Sequence, residues 1–322
     1  MRYWRYPLLI LTFCFYFTQG TAYGFWLWSP KTSKFTSPRK MSKPVPQDQF
    51  QWALSFYEAK EYPRALQEMK NLVRRFPKSA EAAEALFYIG LCHEALDNYE
   101  NAFKAYEEVV GKYPNSGRIQ EILEQEYRIA NLFYSGKKRK VPGVGLELLP
   151  SYGVAIDIFK RVVENAPYGP YADLSQYKIG ECHKKRGEYR EAKEAFEKLM
   201  DDYPKSQLVD DVKYQIALVS FKMSREASYD ERATDEAITE FSRFIAEHPE
   251  SELVQESQSA IQELQGRKAE KAFEIAEFYV KQKSFAAAKT YYNEVIERYA
   301  ETSWARLALE KLTVLEKEEK KK

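Results

Sequence analysis

One five-residue segment occurs twice in this chain, 90 residues apart, and it limits the possible folds more than any other feature. The first copy is Ile89-Gly90-Leu91-Cys92-His93 and the second is Ile179-Gly180-Glu181-Cys182-His183. In both copies an alanine follows twelve residues after the glycine, an aromatic residue stands four further on, and a Tyr-Pro pair comes next. Self-similarity at a fixed spacing is typical of a repeat architecture, in which each repeat is one supersecondary unit.

The same register extends through six units, each with two predicted helices. A small residue marks the first helix, an alanine marks the second, and a proline closes five of the six units. Proline ends a helix because it lacks a donor and clashes with the preceding turn. This pattern resembles the tetratricopeptide repeat (TPR), so we predict an all-α fold, a right-handed helical solenoid of about six helix-turn-helix units with a concave surface. The small positions are Ala53, Gly90, Ala130, Gly180, Ala217 and Ala276, and the second-helix alanines are Ala65, Ala102, Ala155, Ala192, Ala237 and Ala288.

The first residues have the pattern of a cleavable secretory signal. Arg2 and Arg5 precede an apolar run from Leu8 to Phe17, and small residues follow it. The run is short for a membrane span, which needs about 20 apolar residues. An uncleaved N-terminal anchor is the alternative. A lipid anchor on Cys14 is disfavoured, because bulky Phe13 stands where a small residue is needed.

The remaining chain divides by composition and register. Residues 25–46 are a Pro-rich linker, read as a disordered tether or a short docking segment. The basic insert at 136–150 holds Lys137 to Lys140, which indicate a solvated loop or a contact with an acidic partner or a lipid headgroup. The predicted segments are a signal peptide (1–24), the linker (25–46), TPR units one and two with the first helix of unit three (47–135), the basic loop insert (136–150), the rest of unit three with units four to six (151–315), and a charged tail (316–322).

Composition argues against catalysis and nucleic-acid binding. The chain has 49 basic and 48 acidic residues, a formal net charge of +1, and therefore no electrostatic footprint for nucleic acid. Three Cys and three His leave little stock for metal or nucleophile chemistry, so we expect no enzyme activity, cofactor or metal. In the repeat register His93 and His183 replace aromatic wedges, so we expect both to face the core. We do not expect a Cys92–Cys182 disulfide, because equivalent positions two repeats apart should be ~20 Å distant.

The first helix of each unit should line the concave face. Its fifth position is aromatic in every unit, which indicates packing, whereas the ninth and twelfth positions vary. Units one to three place more apolar groups there than unit four, which has Glu181 and Lys184. An extended or helical peptide could bind such a patch, although the same side chains could instead bury against neighbouring helices. The candidate binding residues are Leu54, Tyr57, Leu91, Glu94, Asn131 and Tyr134.

Several segments between Tyr127 and Leu312 resemble the BamD type of outer-membrane protein assembly factor. They are the stretch Ala166-Pro167-Tyr168-Gly169-Pro170-Tyr171-Ala172, the helix ends Tyr203-Pro204-Lys205-Ser206 and His248-Pro249-Glu250-Ser251, and the last repeat with Phe273-Glu274-Ile275-Ala276 and Phe285-Ala286-Ala287-Ala288. The long predicted helix before that repeat also fits the family.

The resemblance implies a scaffold at the periplasmic face of the outer membrane. It would bind the periplasmic domains of the β-barrel insertase through its C-terminal repeats and hold unfolded outer-membrane proteins near its N-terminal repeats. Tyr-Pro-x-Ser endings also occur in the periplasmic TPR coordinator of the Tol–Pal system. That coordinator, or a general TPR adaptor, is the alternative function.

Overall fold

A computed structural model of the chain describes residues 27–29, 34–36, 43–140, 147–226 and 231–319. The predicted signal peptide and Cys14 lie outside these residues. The chain forms two compact units, Met1–Ala85 and Leu86–Lys322, each of which is described by itself below.

The described residues form thirteen helices, as six consecutive pairs followed by one more helix. This confirms the predicted all-α TPR fold. The pairs are α1 Pro46–Glu58 and α2 Tyr62–Arg75, α3 Ala80–Ala95 and α4 Tyr99–Lys112, α5 Ile119–Tyr134 and α6 Tyr152–Asn165, α7 Ala172–Arg186 and α8 Tyr189–Asp202, α9 Val209–Glu226 and α10 Glu231–Glu247, and α11 Val254–Lys281 and α12 Phe285–Arg298; α13 is Ser303–Glu319.

The second helix of each pair ends at the same place in the repeat. Helices α2, α4, α6, α8 and α10 stop two residues before the closing proline, because the residue preceding a proline is pushed out of the helical region. Helix α12 also stops two residues before its equivalent position, although Ala300 stands there. A turn in which the Thr302 N–H donates to the Tyr299 carbonyl at 2.9 Å closes this last pair without proline.

The turn inside most pairs uses one residue in the left-handed conformation. Gly187 takes it after α7 with φ 76°, and Lys60, Asp97 and Lys283 take it after α1, α3 and α11. The next N–H then bonds back across the helix end, as where Glu188 N–H donates to the His183 carbonyl at 3.0 Å. This is the Schellman type of helix ending.

The small residue of the first helix sits against an aromatic ring of the second helix. A Cβ added to Gly90 would lie 2.1 Å from the Tyr106 ring, and one added to Gly180 would lie 2.5 Å from the Phe196 ring. The four alanines at the equivalent positions are all fully buried. The repeat register therefore marks the closest approach between the two helices of a pair.

Four short strands lie in the segments predicted as the linker and the basic loop insert, where no strand was predicted. Strand β1 Leu27–Ser29 pairs antiparallel with β2 Lys34–Thr36 in the predicted linker. Strand β3 Lys138–Lys140 pairs antiparallel with β4 Glu147–Pro150, inside the segment predicted as a basic loop. Strands of three or four residues are too short to show the alternation that reveals a strand in a sequence.

Helices α11 and α13 bear on predictions for the C-terminal part of the chain. Helix α11 continues through Gly266 without a break, in agreement with the long helix predicted before the last repeat. Helix α13 packs on α12 and runs to Glu319, so the predicted charged tail begins as helix. None of the described helices is both long enough and apolar enough to cross a bilayer.

Candidate protein-binding face

Leu54 and Tyr57 lie on α1 in the first compact unit, and both side chains are half-buried. The Tyr57 ring meets the Tyr62 ring of α2 edge to face, with centroids 5.7 Å apart. Their partial exposure leaves apolar surface on this face of α1 for contact with a partner.

A buried amide fixes α1 on α2. The Gln49 side chain is fully buried, and its Nε2 donates to Glu68 Oε2 at 3.1 Å. Its Oε1 accepts the backbone N–H of Lys43 at 2.6 Å. A buried polar group that finds partners in this way rigidifies the packing around it. The orientation of Leu54 and Tyr57 is therefore set by the α1–α2 contact.

In the second compact unit, Leu91 is half-buried on α3, whereas Glu94 is engaged by neighbours. The Tyr106 hydroxyl donates to Glu94 Oε1 at 2.5 Å, and the Arg128 guanidinium pairs with its other oxygen. The Glu94 side chain is only 8% exposed. Glu94 therefore serves packing within the second unit.

Asn131 and Tyr134 lie on α5 and also have partners inside the chain. Asn131 Nδ2 donates to the Tyr127 carbonyl at 2.9 Å, one turn earlier in the same helix. The Tyr134 hydroxyl donates to Glu181 Oε2 on α7 at 3.2 Å. Burial and the Glu181 charge raise the pKa of Tyr134 above its usual value, so the phenol stays neutral.

These contacts follow a rule that the sequence alone did not reveal. The twelfth position of one first helix meets the sixth position of the next. Glu94 pairs with Arg128, and the Tyr134 ring lies 4.3 Å from Lys178 Nζ. The third case is Lys184 Nζ, which donates to Gln215 Oε1 at 2.5 Å. The sequence pattern does not indicate the sixth position, because the number of residues that separate the two partners differs from one repeat to the next.

The aromatic fifth position packs in two directions, as expected from its presence in every unit. In the five pairs from α3–α4 onward, the ring meets the aromatic residue of the second helix, with centroids 5.5 to 6.2 Å apart. It also touches the start of the following first helix, as where Tyr127 stacks on Tyr171 at 4.9 Å. The within-pair contacts are Phe87–Tyr106, Tyr127–Phe159, Tyr177–Phe196, Tyr214–Phe241 and Phe273–Tyr292.

Cys92, Cys182 and His93 are part of the core, whereas His183 is only half-buried, because its ring pairs with Glu188 at the end of α7. Cys92 and Cys182 are free and fully buried, and burial raises the pKa of Cys92 to about 11 and that of Cys182 to about 12. His93 is buried, and His183 Nδ1 lies 2.7 Å from Glu188 Oε2. Among the described residues, no group of His, Cys, Asp and Glu is arranged to hold a metal ion.

The six predicted residues therefore differ in their surroundings. Leu54 and Tyr57 belong to the first compact unit, and the other four belong to the second. Glu94, Asn131 and Tyr134 already have polar partners within the chain. Chemically, the α1 residues of the first unit offer apolar surface, and the residues of the second unit offer hydrogen-bonding groups.

Helix pairs of this kind define the chain as a TPR protein, and the tetratricopeptide repeat family matches residues 50–117. The family described as "YfiO: Outer membrane lipoprotein" matches residues 149–320, more than half of the chain. The chain belongs to this outer membrane lipoprotein family.

One curated relative is the outer membrane protein assembly factor BamD of Caulobacter vibrioides. It is 25% identical over 162 residues, which cover 50% of this chain and 53% of the relative. The chain thus matches about half the length of that relative.

Two solved TPR structures show weak structural similarity to this chain. The C-terminal part of a TPR protein from Cytophaga hutchinsonii gives a TM-score of 0.34 at 15% identity, covering 80% of this chain and 84% of that one. A TPR protein from Parabacteroides merdae gives a TM-score of 0.34 at 13% identity, covering 84% and 98%.

Proposed function

We propose that this chain is a non-catalytic TPR scaffold in outer-membrane β-barrel protein assembly, acting at the periplasmic face of the outer membrane. The observation that carries the proposal is the family match over residues 149–320, together with the similarity to an assembly factor over half the chain. The partners would be the periplasmic domains of the β-barrel insertase and unfolded outer-membrane proteins.

The two ends of the described chain suit these two partners. On α1, Leu54 and Tyr57 offer a half-buried apolar patch to the aromatic end of an unfolded substrate strand. Near the C-terminus, large apolar side chains are exposed on α11 and α13, including Phe278 (55%), Leu309 (53%) and Val314 (56%). Exposed apolar side chains of this kind are suited to a protein interface, and they support docking of the insertase on the last repeats.

The substrate part of the proposal is tested by charging the α1 patch. Replacing Leu54 and Tyr57 by Glu should weaken binding of a synthetic peptide that ends in the aromatic C-terminal strand of a β-barrel protein. We expect a loss of at least about tenfold in affinity, since burying an unpaired charge is costly. Fluorescence anisotropy measures the affinity, and circular dichroism checks that helicity is retained.

The matched control replaces exposed Gln51 and Ser55 of the same helix by Glu, which adds the same charge outside the patch. The milder pair Leu54→Ser and Tyr57→Ser provides a second test if the charged variant loses helicity. Unchanged peptide affinity in a folded patch variant would remove the substrate role from α1.

A further inference from the structure

Basic groups gather around the base of the β3–β4 hairpin in the second compact unit. Helix α5 ends at Tyr134, four residues before β3, and α6 begins at Tyr152, two residues after β4. The two tyrosines therefore flank the root of the hairpin. Strand β3 itself consists of three consecutive basic residues, Lys138–Lys140.

The end of α7 supplies the basic side chains beside this hairpin. Lys185 Nζ lies 3.8 Å from the centroid of the Tyr134 ring and 5.5 Å from that of Tyr152. Lys178, two turns earlier, lies 4.3 Å from the Tyr134 ring. A Cβ built on Gly153 would stand 3.5 Å from Arg186 Nη1, so this guanidinium passes over the first turn of α6.

The positive charge of this surface is only partly neutralised. Lys137 pairs with Asp97 at 3.2 Å, and Arg186 pairs with Glu188 at 2.6 Å. Among the described side chains, neither Lys178 nor Lys185 has a carboxylate partner; both instead contact aromatic faces. A net charge of +1 for the whole chain shows that such a local excess is not a general property of its surface.

We propose that this basic surface, formed by Lys178, Lys185 and Arg186 beside the β3–β4 hairpin, binds the anionic headgroups of a phospholipid membrane. The ammonium groups of Lys178 and Lys185 lie over the face of the Tyr134 ring, a cation–π contact that leaves their positive charge without a compensating anion. Tyrosine, with an apolar ring and a polar tip, suits the same depth. Clustered basic side chains beside a membrane attract anionic lipids.

The arrangement favours a membrane over an acidic peptide. Lys178 and Lys185 line neither of two grooves, of about 610 and 430 Å³, that described residues form in the second unit. An extended peptide gains from a groove, whereas a lipid surface needs only charges spread over an exposed face. The chain also belongs to an outer membrane lipoprotein family. In a protein held by a lipid anchor, the contact of this basic surface with headgroups would be a second attachment to the membrane.

The test uses the full chain and vesicles of phosphatidylcholine with or without phosphatidylglycerol. Each basic group near an anionic surface strengthens binding by about fivefold. Replacing Lys178, Lys185 and Arg186 by Gln should therefore reduce the phosphatidylglycerol-dependent gain in binding on the order of 100-fold. The gain is the ratio of the partition coefficients on the two vesicles, so a contribution of the N-terminal apolar segment cancels.

The matched control replaces exposed Lys112, Lys198 and Arg298 by Gln, which removes the same charge from three second helices. It should keep the gain of the parent chain. The proposal is overturned if the parent shows no gain, if the patch variant keeps it, or if the control loses as much. It is also overturned if the three residues are needed for a poly-glutamate peptide and not for vesicles.

The outcome is separate from the proposed assembly function. Replacing Leu54 and Tyr57 by Glu should leave the phosphatidylglycerol-dependent gain unchanged. The variant with Gln at Lys178, Lys185 and Arg186 should still bind the substrate peptide.

Discussion

Glu126 on α5 should make the stability of this protein fall as pH rises through the neutral range. Its side chain is fully buried, and neither carboxyl oxygen has a hydrogen-bond partner among the described residues. Glu107 of α4 faces it, but Asn165 Nδ2 of α6 donates to Glu107 at 2.6 Å instead. Burial first, and then the charge and proximity of Glu107, raise the pKa of Glu126 to about 9, while the Asn165 amide and, more weakly, Arg161 act in the opposite sense.

The sign and size follow from linkage. At neutral pH the folded chain holds a proton on Glu126 and the unfolded chain does not, so raising the pH favours unfolding. One pKa unit corresponds to about 1.4 kcal/mol. The free energy of unfolding should therefore fall by up to about 2.5 kcal/mol between about pH 6 and about pH 8. The loss is complete above the folded pKa of about 9.

The variant Glu126→Gln should remove most of this slope, because the amide does not titrate. Urea unfolding followed by circular dichroism across the pH range measures it. Glu124→Gln, an exposed change on the same helix, is the control and should keep the slope of the parent chain. Parallel pH profiles for the parent and Glu126→Gln would refute the protonated, buried carboxyl.

Three further outcomes test the packing. Gly180→Ala should lower the free energy of unfolding, measured in urea, by ~1–3 kcal/mol, because its Cβ would lie 2.5 Å from an aromatic ring. Gly111→Ala, with open space around its Cβ, should be neutral or stabilising by up to about 1 kcal/mol. Equal effects of the two changes would contradict the close helix contact. Lys283→Gly should stabilise by about 1 kcal/mol in thermal unfolding, since its φ of 56° disfavours a side chain; a loss of stability would contradict this. Cys92 and Cys182 should resist iodoacetamide until the chain unfolds, as peptide mass spectrometry would show, because their raised pKa values leave little thiolate; rapid labelling of the folded chain would contradict their burial.

The repeat register predicted the fold because it reports contacts inside a helix pair. Gly90 and Gly180 stand where a Cβ would strike the ring of the second helix, so sequence position and packing are tied together. Helix endings are specified in the same local way, although α12 shows that the turn forms without proline at Ala300. The short hairpins and the helical start of the tail left no comparable pattern.

The candidate site was harder to predict because it depends on contacts between pairs. The sequence identified the variable twelfth positions but not their partners at the sixth positions. The partner of Glu94 is Arg128, and the partner of Tyr134 is Lys178; these separations differ because the β3–β4 insert lengthens unit three. A register counted within one repeat cannot show which side chain of the next repeat contacts the twelfth position.

The central claim is that this chain is a scaffold for outer-membrane β-barrel assembly. Affinity purification of the tagged full chain from cell-envelope extracts, with quantitative mass spectrometry of the co-purified proteins, tests it most directly. The account predicts enrichment of a β-barrel insertase with periplasmic domains, and its loss when exposed Phe278 and Leu309 are replaced by Glu. Enrichment of Tol–Pal or cell-wall components without an insertase would contradict the claim and leave the TPR fold in place.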